Sequence, residues 1–311
     1  MPTPATDPPP IAFGVLIPNW NGEAFIERCL GSVLAAARHA GRPMELVVVD
    51  DASADQSPRL IAERFPQVRL IRLARNVGFG RAVARGMAEL SADWVFLLNN
   101  DVALRADFFS RLIETLHAGL AEGKRILAIG GRTLDWETGA INHGGQRRGR
   151  ERGLIVQQPF EAEEAAPADF FQAGACLIHR PAFLALGGFA DLYHPGYWED
   201  YDLALHGAAR GLTCLYEPRA IAWHCGKGSM RRRLGESGLA LVLRRNHLLF
   251  NWVNLPLRDL LRHLARLGPL CLAGLPRERG SAAPCPWGRA VLAALVRLGP
   301  VLRLRRRRAR G

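Results

Sequence analysis

Val47-Val48-Val49-Asp50-Asp51-Ala52-Ser53-Ala54-Asp55 opens with three β-branched apolar residues and stops at two adjacent carboxylates. A run of this kind is a buried strand delivering two acids at its carboxyl end. Repulsion and desolvation make neighbouring acids costly there unless something uses them. A carboxylate accepts hydrogen bonds from a nucleobase N–H or a ribose hydroxyl, which suits a nucleotide site. A capping turn, with Asp51 or Ser53 as N-cap of the next helix, is the bland alternative.

Apolar runs of strand length flank this one at Ala12–Ile17, Val68–Leu73 and Trp94–Leu98, and the strand just described extends over Glu45–Val49. Amphipathic stretches of helix length lie between and after them, near Phe25–Ala37, Pro58–Phe65, Gly80–Leu90 and Asp107–Leu120. Alternating strands and helices with continuously apolar strands predict an α/β fold whose mixed, mostly parallel sheet is flanked by helices on both faces. Ligands of such sheets bind beyond the carboxyl ends of the strands. The polar residues to examine are therefore Asn19 to Asn21, Asp50 and Asp51, Arg75 to Asn76, and Asn99 to Asp101.

Leu97-Leu98-Asn99-Asn100-Asp101 repeats the pattern of a strand ending in polar side chains. A diphosphate bound with a divalent cation needs a hard oxygen ligand, and a carboxylate with an amide two residues before it can reach one ion. An Asx-turn would give the same residues. Asn76-Val77-Gly78-Phe79-Gly80-Arg81 suggests a dinucleotide loop and hence a nicotinamide oxidoreductase. Val83 stands where the third glycine belongs, however, and the loop follows the third strand rather than the first. Glu199, Asp200 and Asp202 put three acids within four residues, either for proton transfer or as a helix start favourable to the dipole. Cys214, His224 and Cys225 fit no zinc spacing.

With 311 residues and 49% hydrophobic content the chain can bury a full core, which excludes a disordered or fibrous protein. Six scattered cysteines without a C-x-x-C pair are read as reduced thiols in the cytoplasm. The first ten residues hold five prolines and no apolar core of a signal peptide, so residues 1–11 are expected to be a disordered leader. Charge is distributed unevenly. Residues 1–243 carry 26 Lys and Arg against 27 Asp and Glu, whereas residues 244–311 carry 15 against 2. Arg262, Arg266 and Arg297 interrupt every C-terminal apolar run short of the roughly 18–20 residues of a spanning helix. Leucines alternating with arginines there predict basic amphipathic helices, which suit an anionic membrane surface, a merely solubilising tail being the bland alternative. No base-stacking aromatic motif accompanies the charge, so nucleic acid is not expected as a partner. The Gly- and Arg-rich stretch Gly144 to Gly153 and the acidic Glu161 to Glu164 are expected to be loops.

Several motifs in fixed order are far more specific than any one. Leu16-Ile17-Pro18-Asn19-Trp20-Asn21-Gly22, Asp50-Asp51, Asn76 to Gly80 and Asn99-Asn100-Asp101 are followed by Gly174-Ala175-Cys176-Leu177-Ile178 and Gly187-Gly188-Phe189. Trp198-Glu199-Asp200-Tyr201-Asp202-Leu203 and Trp223-His224-Cys225-Gly226-Lys227-Gly228-Ser229 complete the series. Over about residues 12–250 the chain resembles the inverting glycosyltransferases of family 2, with the GT-A fold, in their rhamnosyltransferase-like and galactofuranosyltransferase-like subgroup.

The resemblance implies transfer of a hexose, rhamnose being one candidate, from a dTDP-, UDP- or GDP-linked donor to an acceptor hydroxyl. The acceptor would be a cell-surface glycan or a lipid-linked saccharide. It implies that Asp51 contacts the base and that Pro18, Asn19 and Asn21 line the nucleotide pocket, with Asn76, Gly78, Asn99 and Asn100 also on the donor side. Asp101 and His224 would hold Mg²⁺ or Mn²⁺, Asn99 replacing the first acid of the family's D-x-D element. Asp200 would be the general base, with Gly174, Trp198 and Glu199 on the acceptor side. Arg81 and Arg85 depart from the usual pattern. A catalytic domain over residues 12–243 is expected, its donor half at 12–129 and its acceptor half at 130–243, followed by a basic appendage over 244–311. The enzyme would sit in the cytoplasm, peripherally on the inner face of the membrane. A non-catalytic nucleotide-sugar binder is the remaining alternative, against which stands the joint presence of Asp51, Asp101, Asp200 and His224.

Overall fold

The computed structural model describes residues 11–225, 229–273 and 287–310. Residues 1–10 of the expected leader and residues 226–228 of the last motif lie outside the described part. The donor half consists of β1 (Phe13–Asn19), α1 (Ile26–Ala40), β2 (Met44–Asp50), α2 (Ser57–Arg64), β3 (Arg69–Arg72), α3 (Phe79–Glu89), β4 (Trp94–Leu98), β5 (Val102–Leu104) and α4 (Phe108–Ala121). The next stretch supplies β6 (Ile126–Asp135), β7 (Ile141–His143), β8 (Gly145–Glu151), β9 (Leu154–Phe160), β10 (Ala166–Ala168), β11 (Ala175–His179) and α5 (Arg180–Ala185). It continues with α6 (Glu199–Ala208) and β12 (Thr213–His224). Then come α7 (Ser229–Asn254), α8 (Leu257–Ala273), α9 (Trp287–Leu295) and α10 (Leu298–Arg310).

Strands β3, β2, β1 and β4 lie side by side and parallel, and β11 runs antiparallel between β4 and β6. Beyond it β12 is parallel to β6, and β10 closes the edge antiparallel to β12. The sheet is thus mixed and mostly parallel, as predicted from the alternating pattern. Because side chains alternate across a strand, two cores form. Leu16, Val47, Val49, Val95 and Leu97 face α3, α6 and the C-terminal helices, while Val15, Ile17, Val48, Phe96 and Leu98 face α1, α2 and α4. Each such buried side chain contributes about 1.5–3 kcal/mol of transfer free energy.

The stretch expected as a loop at Gly144 to Gly153 is instead most of the β8–β9 hairpin. Its turn places Arg152 and Gly153 at φ 49° and 84°, the left-handed pair that a two-residue hairpin turn requires. The hairpin is invisible to apolar periodicity because β8 is rich in exposed arginine, and its anchor lies elsewhere in the chain. Asn251 in α7 accepts from the Ile155 amide at 2.7 Å and donates to the Ile155 carbonyl at 3.2 Å.

Helix α7 runs through residue 243, where the basic appendage was expected to begin, with one kink at Gly235 (φ 65°). Its Leu248, Leu249, Phe250 and Trp252 are fully buried in the core shared with α3 and α6. Trp287, Ala290, Ala294 and Val301 of α9 and α10 are buried as well. No helix among the described residues is long and apolar enough to cross a membrane.

Candidate active site

The carboxyl ends of β1, β2 and β4 are joined by one buried side chain. Asn19 donates through Nδ2 to Asp50 Oδ1 at 2.9 Å and to Ser57 Oγ at 2.9 Å, and its Oδ1 accepts from Asn100 Nδ2 at 2.8 Å. Asp50 also receives the Ser53 hydroxyl at 2.5 Å. Of the adjacent acids, Asp50 therefore serves to hold the strand ends together. Asn21, at φ 49°, receives the Ala54 amide on its Oδ1 at 2.9 Å and donates its own amide to Ser53 Oγ at 2.9 Å. Pro18 is buried in β1 opposite Val49.

Asp51 turns the other way, toward the start of α3. Its Oδ1 accepts from the Val77 amide at 2.6 Å and its Oδ2 from the Gly78 amide at 2.8 Å, and Asn76 Nδ2 donates to its carbonyl at 3.2 Å. Negative charge at a helix N-terminus is favourable, and the two amides are satisfied by it. Asp51 thus fixes the loop that opens α3 through the Asn76 side chain and the Val77 and Gly78 amides.

Asp101 follows β4 and is 7% exposed, and its backbone carbonyl accepts from the Cys225 amide at 3.0 Å. His224, the last residue of β12, brings Nε2 to 3.2 Å from Asp101 Oδ1. The approach is not aligned as a hydrogen bond, so Oδ1 is a buried carboxylate oxygen with no donor directed at it. Burial lowers the proton affinity of His224, but the Asp101 and Asp135 carboxylates outweigh it and raise the pKa. On the other side of the ring, Asn142 Nδ2 lies 3.0 Å from Nδ1. Burial and the neighbouring His224 hold His143 down at about 4. No group of three His, Cys, Asp or Glu forms a closed metal cage among the described residues. An undonated carboxylate oxygen with an imidazole beside it does suit an ion that takes its other ligands from diphosphate and water, the usual habit of Mg²⁺. The Asn99 side chain, half-buried, has no hydrogen-bond partner among the described residues.

The acceptor-side residues meet this end of the sheet through two consecutive residues of one segment. The Asn99 amide donates to the Gly174 carbonyl at 2.9 Å, and the Ala173 amide donates to Asp200 Oδ2 at 3.2 Å. Gly174 packs directly against the Asn99 side chain, where a Cβ would sit 2.5 Å from Nδ2 and push that side chain aside. Asp200 occupies the first turn of α6 and also receives the Tyr201 amide at 2.9 Å. Burial raises the proton affinity of both Glu199 and Asp200. The charge of Asp200 raises Glu199 further, whereas three backbone amides restrain the rise at Asp200. Within the pair Asp200 is thus the more readily ionised, and Glu199 Oε2 is buried without a partner among the described residues.

Tyr197 and Trp198, immediately before α6, sit at φ 73° and 79°, a conformation costing bulky residues about 1–3 kcal/mol each. The buried side-chain amide of Asn246 in α7 holds them there, donating to the carbonyls of Tyr193, Gly196 and Tyr197 at 2.7, 2.8 and 3.1 Å. The Trp198 ring stacks on His247 at 4.4 Å and 12°. Sequence reasoning omitted Asn246, His247, Asn254 and Arg308 from the site. The available signal was the polar Arg244-Arg245-Asn246-His247 within a Leu-rich helix, where buried polar side chains need partners.

A family model described as glycosyl transferase family 2 matches residues 14–181. The chain is 28% identical over 226 residues to an N-acetylglucosaminyl-diphospho-decaprenol L-rhamnosyltransferase of Mycobacterium tuberculosis, covering 64% of this chain and 71% of that protein. It is 37% identical over 120 residues to the succinoglycan biosynthesis protein ExoO of Rhizobium meliloti, covering 37% of this chain and 34% of the relative. Among solved structures, GalNAc-T7 with UDP, GalNAc and Mn²⁺ superposes with a TM-score of 0.60 at 16% identity, over 94% of this chain and 54% of that one. The mannosyltransferase PcManGT from Pyrobaculum calidifontis, in complex with GDP-Man and Mn²⁺, gives 0.53 at 17% identity, over 98% and 86%. The fold is therefore GT-A.

Proposed function

Because the chain belongs to glycosyl transferase family 2, we propose that it is an inverting enzyme moving a hexose, rhamnose being the foremost candidate, from a nucleoside-diphosphate donor to an acceptor hydroxyl. The observation that carries this reading is the meeting of Asn99 and Asp200 on the Ala173–Gly174 segment, which sets the donor-side strand ends beside a buried carboxylate. The rhamnosyltransferase of Mycobacterium tuberculosis supports a lipid-linked saccharide as acceptor.

On this reading the donor lies over the ends of β1, β2 and β4. Pro18, Asn19, Asn21 and Asn100 shape the pocket floor. Asp51 fixes Asn76 and Gly78 beside the donor, its remaining lone pairs left for a base N–H. Asp101 and His224, with the Asn99 amide near, would hold Mg²⁺ or Mn²⁺, which supplies charge stabilisation to the departing diphosphate. Asp200 accepts the proton of the acceptor hydroxyl as it attacks, a contribution of about 10²–10⁴ in rate. Glu199, retaining its own proton longer, keeps a second negative charge out of the pocket. Trp198 and Gly174 wall the acceptor side.

We further assign the C-terminal helices to the anionic inner surface of the membrane. Leu257, Leu261, Leu292, Leu295, Val296 and Leu302 are exposed. Arg258, Arg262, Arg289, Arg303, Arg306 and Arg307 stand exposed among them. Apolar side chains interleaved with arginine suit an interfacial helix. The domain division keeps its catalytic part from residue 12 and its membrane-facing part in α8 to α10, with α7 shared between them.

The test is a thermal-shift panel of nucleoside diphosphates and nucleotide sugars with and without Mn²⁺, followed by transfer to a polyprenyl-diphosphate saccharide. Stabilisation by one nucleoside diphosphate only with metal, and release of that diphosphate on transfer, is expected. Indifference to every nucleotide would overturn the reading.

A further inference from the structure

We propose that Arg308, near the end of the chain, is a positioning residue for Asp200, acting through Asp202, so that the last helix belongs to the acceptor side of the active site. The inference rests on reading Asp200 as the base. In α10 the buried Val301 is followed one and two turns later by Arg305 and Arg308, and this face turns inward. Arg305 Nη1 donates to the carbonyls of Trp252, Val253 and Leu255 at 2.8 Å each, closing the C-terminal end of α7. Arg308 grips Asp202 with two parallel hydrogen bonds, Nη1 to Oδ1 at 2.8 Å and Nη2 to Oδ2 at 2.5 Å. Asn254 Nδ2 adds a third at 2.7 Å to Oδ1. The pair is enclosed, with side-chain exposures of 15% for Arg308 and 1% for Asp202.

Two consequences reach Asp200. The first is geometric, because Asp200 and Asp202 share the first turn of α6, and three donors on Asp202 from two other helices fix that turn. Displacing a catalytic group by about 1 Å can cost on the order of 100-fold in rate. The second is electrostatic. Glu199, Asp200 and Asp202 are all buried in this turn, and Arg308 neutralises one of them. The other titratable groups facing Asp202 are Tyr193 from the preceding turn and His206 along α6, and burial together with Arg308 and Arg210 keeps His206 neutral near pH 7. With Arg308 gone, an uncompensated Asp202 charge repels the ionised form of Asp200, and the base has to be deprotonated at higher pH.

A clamp that only stabilises the fold would lower the melting temperature and leave kinetics per folded molecule unchanged, which separates the two roles. The experiment uses the full chain and the nucleotide sugar that the unaltered protein turns over. It compares Arg308→Ala, Arg308→Lys and the double variant Arg308→Ala with Asp202→Asn. Arg308→Ala is expected to lower kcat on the order of 10- to 100-fold, leave nucleoside-diphosphate affinity unchanged and move the acid limb of the kcat profile to higher pH. Arg308→Lys keeps the charge without the two-pronged grip, so it loses rate but keeps the limb in place. The double variant restores the limb without restoring the rate. A folded Arg308→Ala protein with the original kcat and profile overturns the proposal, as does equal loss of kcat and nucleotide affinity. Should Arg308→Ala not fold, Arg308→Lys decides: original kcat overturns the proposal and reduced kcat at unchanged nucleotide affinity supports it. Nucleotide binding without turnover of any nucleotide sugar by the unaltered chain would overturn the reading of Asp200, and this proposal with it. Turnover by the unaltered chain and unaltered kinetics in the variant overturns the positioning role alone.

Discussion

His224 Nε2 lies 3.2 Å from Asp101 Oδ1 without forming an aligned hydrogen bond, which leaves a buried carboxylate oxygen facing an imidazole across a gap that a hard cation can share. The two residues are 123 positions apart in sequence and are brought together by the pairing of β12 with β5, where His224 stands opposite Val102. If the ion is their common partner, Asp101→Ala weakens nucleoside-diphosphate binding only when Mn²⁺ is present. Calorimetric titrations with metal and with a chelator check this, and equal weakening in both would remove the metal from the account.

Asp200→Asn cannot take a proton, and it keeps one of the two amide hydrogen bonds that Asp200 accepts, from Ala173 or from Tyr201, because its Oδ1 accepts and its Nδ2 does not. Turnover is expected to fall by two or more orders of magnitude, the scale of general-base catalysis, with nucleotide affinity unchanged. In the unaltered chain burial raises the pKa of Asp200. The rate therefore falls as pH drops through this raised value, at a pH above that expected of an exposed carboxylate. A kcat profile flat down to pH 4 would contradict the assignment.

Glu199 lets the same burial be measured as stability. Its pKa is raised in the folded chain, so above its unfolded pKa the unfolded state holds fewer protons than the folded one, and stability declines as pH rises toward the folded pKa. Glu199→Gln removes that decline. Denaturant midpoints of the variant and the original chain should converge at acid pH and separate above it, the variant gaining on the order of 1 kcal/mol or more. A gap that does not widen with pH would show that Glu199 is not held protonated.

Gly22 packs where a Cβ would meet Asn19 Oδ1 at 2.3 Å and Asn100 Nδ2 at 2.4 Å. Gly22→Ala should break the Asn19–Asn100 hydrogen bond. The expected loss is about 1–3 kcal/mol in urea unfolding, accompanied by weaker nucleotide binding.

For the membrane, the outward arginines must be separated from the inward ones. Replacing Arg303, Arg306 and Arg307 by Gln leaves Arg305 and Arg308 in place. At about 1 kcal/mol per basic residue near an anionic surface, the triple variant should bind phosphatidylglycerol vesicles about 100-fold more weakly. Its melting temperature should be unchanged, and both proteins should release at high salt. Equal binding to neutral vesicles, or none to either, would rule docking out. A plain truncation of the tail would confuse the two roles, because it also removes the Arg308 grip on Asp202.

The sequence by itself determined the alternation of strands and helices through β4 and α4, and the places where polar side chains gather. Both depend on local information. Apolar runs such as Val47–Val49 bury on both faces wherever they lie in a parallel sheet, and residues such as Asp51 and Asn99 that end them emerge at the same rim. Order of motifs then identified the family.

Tertiary structure alone decided the division of labour between Asp50, which ties strand ends, and Asp51, which holds the start of α3. It also turned β8 and β9 into a hairpin anchored on Asn251, and it divided the arginines of α10 into an inward face on Asp202 and an outward face to solvent. These outcomes depend on partners roughly 30 to more than 100 residues away in sequence. A hydrogen bond or ion pair has no periodicity along the chain, so its two ends can be recognised only after the fold has brought them within reach.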